Sequence, residues 1–205
     1  MRIERIEPSK HKKDRVLVFL EGGELLKITE NELLRYDLRP DGELTEELLE
    51  EIKKTAAVSE MKARGARLTG SRMLSKKQVV EHLTRRGGDR EAAEDTALWL
   101  EDLGAVDEEA YGLAVVRHYG AGRVRQELSR RGVPRELWEE LLLQLPPAEE
   151  AVERFVQNKC KGKQPDKEQL RKLSAALQRR GFSWQEMEPV FRRLEAEAIE
   201  NETLE

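Results

Sequence analysis

The sequence is poor in cysteine, in aromatic residues and in long apolar runs. Its 205 residues include one cysteine, Cys160, which excludes an internal disulfide and a metal site built from several cysteines. Aromatic residues make up 5% of the chain, too few for an obvious platform on which nucleic-acid bases stack. No apolar run approaches the ~20 residues that span a bilayer, and Arg2, Glu4, Arg5 and Glu7 interrupt any signal peptide. The sequence therefore predicts a cytoplasmic protein without a membrane segment.

Residues that could carry catalysis are scattered. His11, His82 and His118 have no second histidine or cysteine at the spacing of metal ligands. The segment Gly120-Ala121-Gly122 lacks the preceding strand of a phosphate-binding turn and is better explained as a helix-to-helix connection. We therefore expect that the protein is not an enzyme and that it binds neither a metal ion nor a cofactor.

Charged residues make up 38% of the chain, well above the usual quarter, and the net charge is −4. The charge is unevenly distributed, because a mildly basic body over residues 59–194 lies between an acidic segment 1–58 and an acidic end 195–205. This pattern suits an anionic partner bound at a patch, but it is weaker than that of a dedicated DNA-binding domain.

The first 28 residues have the pattern of β-strands. Short apolar runs over 2–6, 16–20 and 25–28 are separated by turn residues, and Gly22-Gly23 predicts a hairpin. Thr29 with Glu32 predicts a capping box, and Thr45 predicts the cap of a longer helix.

One short string occurs three times in the rest of the chain. It reads Leu83-Thr84-Arg85-Arg86-Gly87, then Leu128-Ser129-Arg130-Arg131-Gly132, then Leu177-Gln178-Arg179-Arg180-Gly181. A glycine that ends a helix and two arginines in the last turn are typical helix-stop signals. A helix with a tryptophan follows each string and another helix precedes it, so internal repeats of three helices are indicated.

The sequence thus predicts a mainly α, elongated fold of three tandem three-helix repeats with a small N-terminal region that contains a β-hairpin. The predicted segments are an N-terminal extension 1–58, repeats 59–104, 105–145 and 146–196, and an acidic tail 197–205.

Basic residues recur in register with the repeat. Arg123 and Arg130 lie seven residues apart on one helix face, Lys172 and Arg179 hold the same positions in the third repeat, and Arg85 holds one in the first. Stacked repeats would align them into a stripe that binds phosphates or an acidic protein surface. The candidate partner-binding residues are Lys76, Lys77, Arg85, Arg86, Arg123, Arg125, Arg130, Arg131, Lys172 and Arg179. Each of these taken alone is also explained by solubility or by the helix dipole.

The stretch from about Arg72 to Leu194 resembles the RecX family of recombinase regulators. The resemblance rests on an ordered series of segments: Arg72-Met73-Leu74-Ser75, Leu103-Gly104-Ala105-Val106-Asp107-Glu108-Glu109-Ala110-Tyr111, Tyr119-Gly120-Ala121-Gly122-Arg123-Val124-Arg125-Gln126-Glu127-Leu128 and Arg131-Gly132-Val133. The N-terminal segment also resembles the extension of longer members, so the resemblance covers nearly the whole chain. The sequence departs from the family pattern at Ala105, Glu108 and Gly112.

The resemblance implies tandem three-helix units and a non-catalytic protein that binds the RecA recombinase filament on single-stranded DNA and limits its activity in homologous recombination, DNA repair and the SOS response. The basic stripe adds DNA phosphates as a further expected contact. Nothing in the sequence demands a dimer, so we expect a monomer. Two alternatives remain open, namely a DNA-binding module of helix-turn-helix-like units and a helical-repeat scaffold for another protein. If Arg123 and Arg130 contact the filament, reversing both charges should abolish inhibition without changing the circular dichroism.

Overall fold

The computed structural model of the chain describes residues 1–85, 87–161 and 163–203, and for residues 198–203 it describes the backbone alone. Over these residues the chain forms three strands, all near its N-terminus, and ten α-helices, which confirms a mainly helical protein with a small β region. The chain divides into two compact units. The first contains Met1–Arg72 and Val79–Ala105, and the second contains Met73–Gln78 and the chain from Val106 onward.

The first unit begins with an antiparallel sheet of three strands in the order β1-β2-β3. The strands are β1 (Ile3–Pro8), β2 (Arg15–Leu20) and β3 (Leu25–Thr29). Gly22 and Gly23 join the last two with φ values of 92° and 86°, a conformation that glycine adopts without steric cost. The predicted hairpin is therefore confirmed, and the residues around 2–6 add a third strand to it.

Two helices follow the sheet, and the predicted residues cap both. They are α1 (Glu30–Arg35), with a complete Thr29–Glu32 capping box, and α2 (Glu46–Ser71), where Thr45 accepts a hydrogen bond from the Leu48 amide. Since α2 passes position 58 without a break, the predicted N-terminal extension and the first predicted repeat share one helix.

The core of the first unit joins the sheet to α2. Its buried residues are Ile3, Val16, Val18, Leu20, Leu26, Ile28, Leu38, Leu44, Leu49 and Ile52. Two further helices, α3 (Lys76–Thr84) and α4 (Arg90–Asp102), follow in the chain. Asp89 caps α4, and α4 approaches α2 so closely at Gly65 that a Cβ there would lie 2.9 Å from Leu100.

The second unit contains the remaining helices and two apolar clusters. Its elements are α5 (Glu108–Val116), α6 (Ala121–Arg131), a 3-10 turn (Arg135–Leu137), α7 (Trp138–Leu143), α8 (Ala148–Cys160), α9 (Lys167–Gln178) and α10 (Trp184–Thr203). One cluster is formed by α5, α6 and α7 around Leu128 and Leu141, and the other by α8, α9 and α10 around Leu177 and Met187. The helical backbone of α10 continues to Thr203, so it includes most of the segment predicted as an acidic tail.

The three repeated glycines have the conformation that the sequence predicts. Gly87, Gly132 and Gly181 have φ values of 79°, 77° and 86°, all in the left-handed region that ends a helix. The grouping of the helices into three tandem repeats stays a prediction. No helix among the described residues is both long and apolar enough to cross a membrane.

Candidate partner-binding surface

Three of the four predicted basic residues of α6 surround the buried carboxylate of Glu127, which was not among the predicted binding residues. Glu127 is 1% exposed, and it accepts hydrogen bonds from three arginines of its own helix. Arg123 Nε lies 3.2 Å from Oε1, Arg130 Nη2 lies 2.7 Å from Oε2, and Arg131 Nε lies 3.2 Å from Oε2. The spacings of three and four residues place all these groups on one helix face.

Three guanidinium groups keep this carboxylate ionised. Burial alone raises the pKa of Glu127, but hydrogen bonds from Arg130, Arg131 and Arg123 outweigh burial and lower the pKa to about 2. A single negative charge partly balances three positive ones, so the cluster stays cationic at neutral pH.

Arg131 is directed into the protein. Its Nη1 donates to the Tyr111 hydroxyl and its Nη2 to the Tyr119 hydroxyl, each at 3.0 Å, and 25% of its side chain is exposed. Burial opposes the charge of Arg131, but these contacts and Glu127 raise its pKa. Arg131 therefore fixes α6 against α5, whereas 62% of the Arg130 side chain is exposed.

The first turn of α3 packs against the end of α6. Lys77 lies over Gly132, where an added Cβ would come 2.5 Å from its Cδ, and its Nζ donates to the Arg130 carbonyl at 3.1 Å. Ser75 Oγ donates to the Arg131 carbonyl at 2.6 Å. These contacts satisfy carbonyl groups that the helix end leaves without intrahelical partners.

The start of α6 meets the end of α9 in a similar way. Arg123 lies over Gly181, where an added Cβ would come 2.5 Å from its Cβ, and its Nη1 donates to the Arg179 carbonyl at 2.5 Å. The Gly120 amide donates to the Arg180 carbonyl at 2.9 Å. Gly120 caps the start of α6 and leaves room for the Gly181 carbonyl. The predicted helix-to-helix connection is thus present at Gly120, whereas Ala121 and Gly122 already belong to the first turn of α6.

These contacts join four predicted cations into one connected series within the second unit. We call Lys77, Arg130, Arg123 and Arg179 the basic ridge. Lys77 reaches the Arg130 carbonyl, Arg130 and Arg123 share Glu127, and Arg123 reaches the Arg179 carbonyl. The side chains of Lys77, Arg123 and Arg130 are held by defined contacts, so an anionic partner meets charges whose positions are largely fixed in advance.

The other predicted residues are not joined to this series. Lys172 pairs with Glu168 at 2.7 Å on the surface of α9, and Arg125 is exposed on α6. The amide of Lys76 donates to Glu108 at 2.7 Å. Arg85 lines a cleft in the first unit, and Arg86 lies outside the described residues.

The predicted effect of reversing Arg123 and Arg130 does not fit this geometry. Two new carboxylates would face buried Glu127, so the second unit would lose stability and the circular dichroism would change. The sequence did contain the missing signal. Glu127 lies between Val124 and Leu128 on the apolar face of α6, at three or four residues from each of three arginines.

A second basic surface in this unit is a groove of about 710 Å³. Arg117, Arg154 and Lys159 line it, and Arg180 lies over the Phe155 ring at 4.4 Å from its centroid. None of these residues was predicted from the sequence to bind a partner. No group of three or more histidine, cysteine or carboxylate side chains that could hold a metal ion occurs in the described part of the chain.

Known proteins resemble the chain over most of its length. It is 30% identical over 137 residues to the regulatory protein RecX of Pelodictyon phaeoclathratiforme, covering 62% of this chain and 84% of that relative. The chain belongs to the RecX family. It is 28% identical to RecX of Geobacillus kaustophilus over 82% of this chain and 66% of that one, slightly under two thirds of the relative's length. RecX of Streptococcus pneumoniae is 25% identical over 100% of this chain.

A crystal structure of regulatory protein RecX superposes on 91% of this chain with a TM-score of 0.60 and 23% identity, which supports the fold. No protein-family model matches the chain.

Two departures from the RecX pattern have local explanations. Gly112 stands where alanine is common, and a Cβ at this position would clash with the Leu141 side chain of α7. Glu108 stands where aspartate is common, and its carboxylate caps the start of α3 through the Lys76 amide.

Proposed function

We propose that this chain binds the RecA recombinase in its filament on single-stranded DNA and limits its activity. The proposed setting is homologous recombination, DNA repair and the SOS response, in the cytoplasm. Membership of the RecX family supports a regulatory role. The basic ridge is the observation that carries the binding proposal, because it joins four cations into one series, two of which, Arg123 and Arg130, share the buried carboxylate of Glu127.

The ridge is suited to a repetitive anionic surface. Arg130 and Arg179 are exposed, and Arg123 is 41% exposed at its side chain, so their guanidinium groups reach solvent while their main chains are fixed. A recombinase filament repeats the same subunit surface along a helix and encloses a phosphate backbone. In this proposal the ridge contacts the acidic surface of the recombinase, with DNA phosphates as a secondary contact, and the regulator acts as a monomer.

The tandem organisation of three-helix repeats belongs to the same proposal. The two glycine junctions support it, because Lys77 at the start of α3 and Arg123 at the start of α6 each pack on the glycine that ends another helix. In each junction the basic side chain bonds the carbonyl two residues before that glycine, Arg130 in one and Arg179 in the other. Repeated junctions of this kind are expected of stacked units.

The experiment is a titration of RecA that hydrolyses ATP on single-stranded DNA. The proposal predicts inhibition at fewer than one regulator per recombinase subunit, because action on filament growth or persistence requires few molecules. No inhibition at excess, with the cognate recombinase, would contradict it. A parallel gel shift without recombinase at two salt concentrations separates this function from independent DNA binding.

A further inference from the structure

The C-terminal half of α2 is strongly basic. Residues 61–71 of the helix contain Lys62, Arg64 and Arg67 and no carboxylate, and Arg72 follows as the C-terminal cap. Cations stabilise the negative end of a helix dipole only within its last turn, and the last turn of α2 contains none. The dipole therefore does not explain why so many cations lie along this helix.

Four cations converge on one carboxylate of this helix, Glu60. Lys12 Nζ lies 3.3 Å from Glu60 Oε1, Arg64 Nε lies 3.2 Å from it and Arg67 Nη2 lies 3.8 Å from it. Arg15 also contacts this carboxylate. One negative charge balances one of these cations, so the cluster has an excess of positive charge.

The cluster opens into a cleft of about 610 Å³ within the first unit. We call it the α2 cleft, and its cations are Lys12, Arg64, Arg67, Arg72 and Arg85, opposed by Glu60. Arg72 also contacts His82 on its wall. Five cations and one carboxylate line the cleft, and among the residues that the structure describes no phenylalanine, tyrosine or tryptophan side chain does so.

The ammonium group of Lys12 is affected by the neighbouring cations of this cluster. Local desolvation and the charges of Arg15, Arg67 and Arg64 lower the pKa of its ammonium group below the usual value. A bound anion would relieve this repulsion, because it would add negative charge where the protein supplies one carboxylate.

We propose that the α2 cleft binds phosphate groups of a polyanion. A phosphate group accepts hydrogen bonds from several guanidinium groups at once, and arginine matches its geometry with two parallel hydrogen bonds. Arg64 and Arg67 lie three residues apart and point into the same cleft, so they can hold one phosphate group or two successive groups. The described lining of the cleft contains no phenylalanine, tyrosine or tryptophan, and its one imidazole, His82, contacts Arg72. This composition favours recognition of phosphates without stacking on bases.

This site uses no residue of the basic ridge and lies within the other unit. It therefore stands independently of the proposed action on a recombinase. The phosphate groups could belong to a nucleic-acid backbone or to a free polyphosphate, and two probes distinguish these sources.

The experiment compares the full chain with the double variant Arg64→Gln/Arg67→Gln, without recombinase. The first probe is a fluorescein-labelled oligodeoxythymidine followed by anisotropy, and the second is inorganic tripolyphosphate followed by calorimetry. The matched control is Arg90→Gln/Arg192→Gln, which removes two exposed arginines that pair with Glu94 and Glu188. Thermal midpoints and circular dichroism of both variants establish that they fold. Lys12 and Arg15 still neutralise Glu60 in the cleft variant.

We expect the cleft variant to bind at least about tenfold more weakly than the control. For the oligonucleotide, the slope of log K against the logarithm of the salt concentration should be shallower by about 1.4 in the cleft variant, the value for two phosphate contacts with a single strand. Weaker binding of the oligonucleotide by the cleft variant than by the control supports the site and identifies a nucleic-acid backbone as the source of the phosphate groups. Weaker binding of tripolyphosphate alone supports the site and identifies a free polyphosphate as the source. Equal binding by the cleft variant and the control with both probes would overturn the proposal.

Discussion

Lys77 lies over Gly132 so closely that a Cβ on this glycine would come 2.6 Å from the Lys77 Cβ. The same relationship joins Arg123 to Gly181, where the added atom would also come 2.7 Å from the Arg123 main-chain nitrogen. In each pair a basic residue covers the glycine that ends another helix and bonds a nearby carbonyl. These glycines therefore act as helix stops and as packing surfaces.

Substituting the three repeated glycines with alanine should separate these two roles. All three have positive φ, which costs about 1–2 kcal/mol for alanine. Gly87→Ala should lower the free energy of unfolding by only this amount, because nothing lies within 4 Å of an added Cβ. Gly132→Ala should cost about 1 kcal/mol more because Lys77 must move, and Gly181→Ala should cost most because main chain blocks the Cβ. Urea unfolding measures the order, and equal losses at all three positions would contradict the packing role.

Acid should weaken the second unit through Glu127. Its pKa is lowered from 4.5 to about 2, so its ionised form stabilises the folded state fully above pH 4.5. This stabilisation should disappear as the pH falls from about 4.5 towards 2. Glu127→Gln should reduce the unfolding free energy by about 2 kcal/mol at pH 7, since one amide oxygen replaces an ionised acceptor of three arginines. The difference from the unsubstituted chain should shrink at pH 3, and a constant difference would contradict this role.

Adjacent arginines at the end of α6 should have different effects on stability. Arg131→Gln should lower the unfolding free energy by about 2 kcal/mol, because it breaks contacts with Tyr111, Tyr119 and buried Glu127. Arg130→Gln should cost less than about 1 kcal/mol, because most of its side chain is exposed and Arg123 and Arg131 still neutralise Glu127. Chemical unfolding of the two variants tests this difference, and a larger loss for Arg130→Gln would show that the assignment of roles is wrong.

Local signals in the sequence were sufficient for the helix ends and the hairpin. Thr29 and Thr45 cap the helices that they were predicted to cap, because capping depends on residues three positions apart. The left-handed glycines were predictable for the same reason, since a stop signal is local to one turn.

The candidate sites could not be predicted in full from the sequence, because they depend on contacts that form when the helices and loops pack together. Arg131 and Arg130 are neighbours in a repeated string, but Tyr111 and Tyr119 determine that only Arg131 is directed inward. The α2 cleft was missed because Lys12 comes from the loop between β1 and β2, far along the chain from Arg64. Charge spacing on one helix identifies a face, whereas the partners of that face come from packing.

The most direct test of the regulator account measures inhibition of RecA ATP hydrolysis by Arg130→Gln/Arg179→Gln. This variant removes two exposed charges of the basic ridge and leaves Arg123 and Arg131 on Glu127. The control is Arg90→Gln/Arg192→Gln, which removes the same charge elsewhere. The account predicts at least about tenfold weaker inhibition by the ridge variant and unchanged inhibition by the control, with thermal midpoints that differ by no more than about 4 °C. Inhibition by the ridge variant at the concentration that suffices for the control would contradict the claim that the ridge binds the filament.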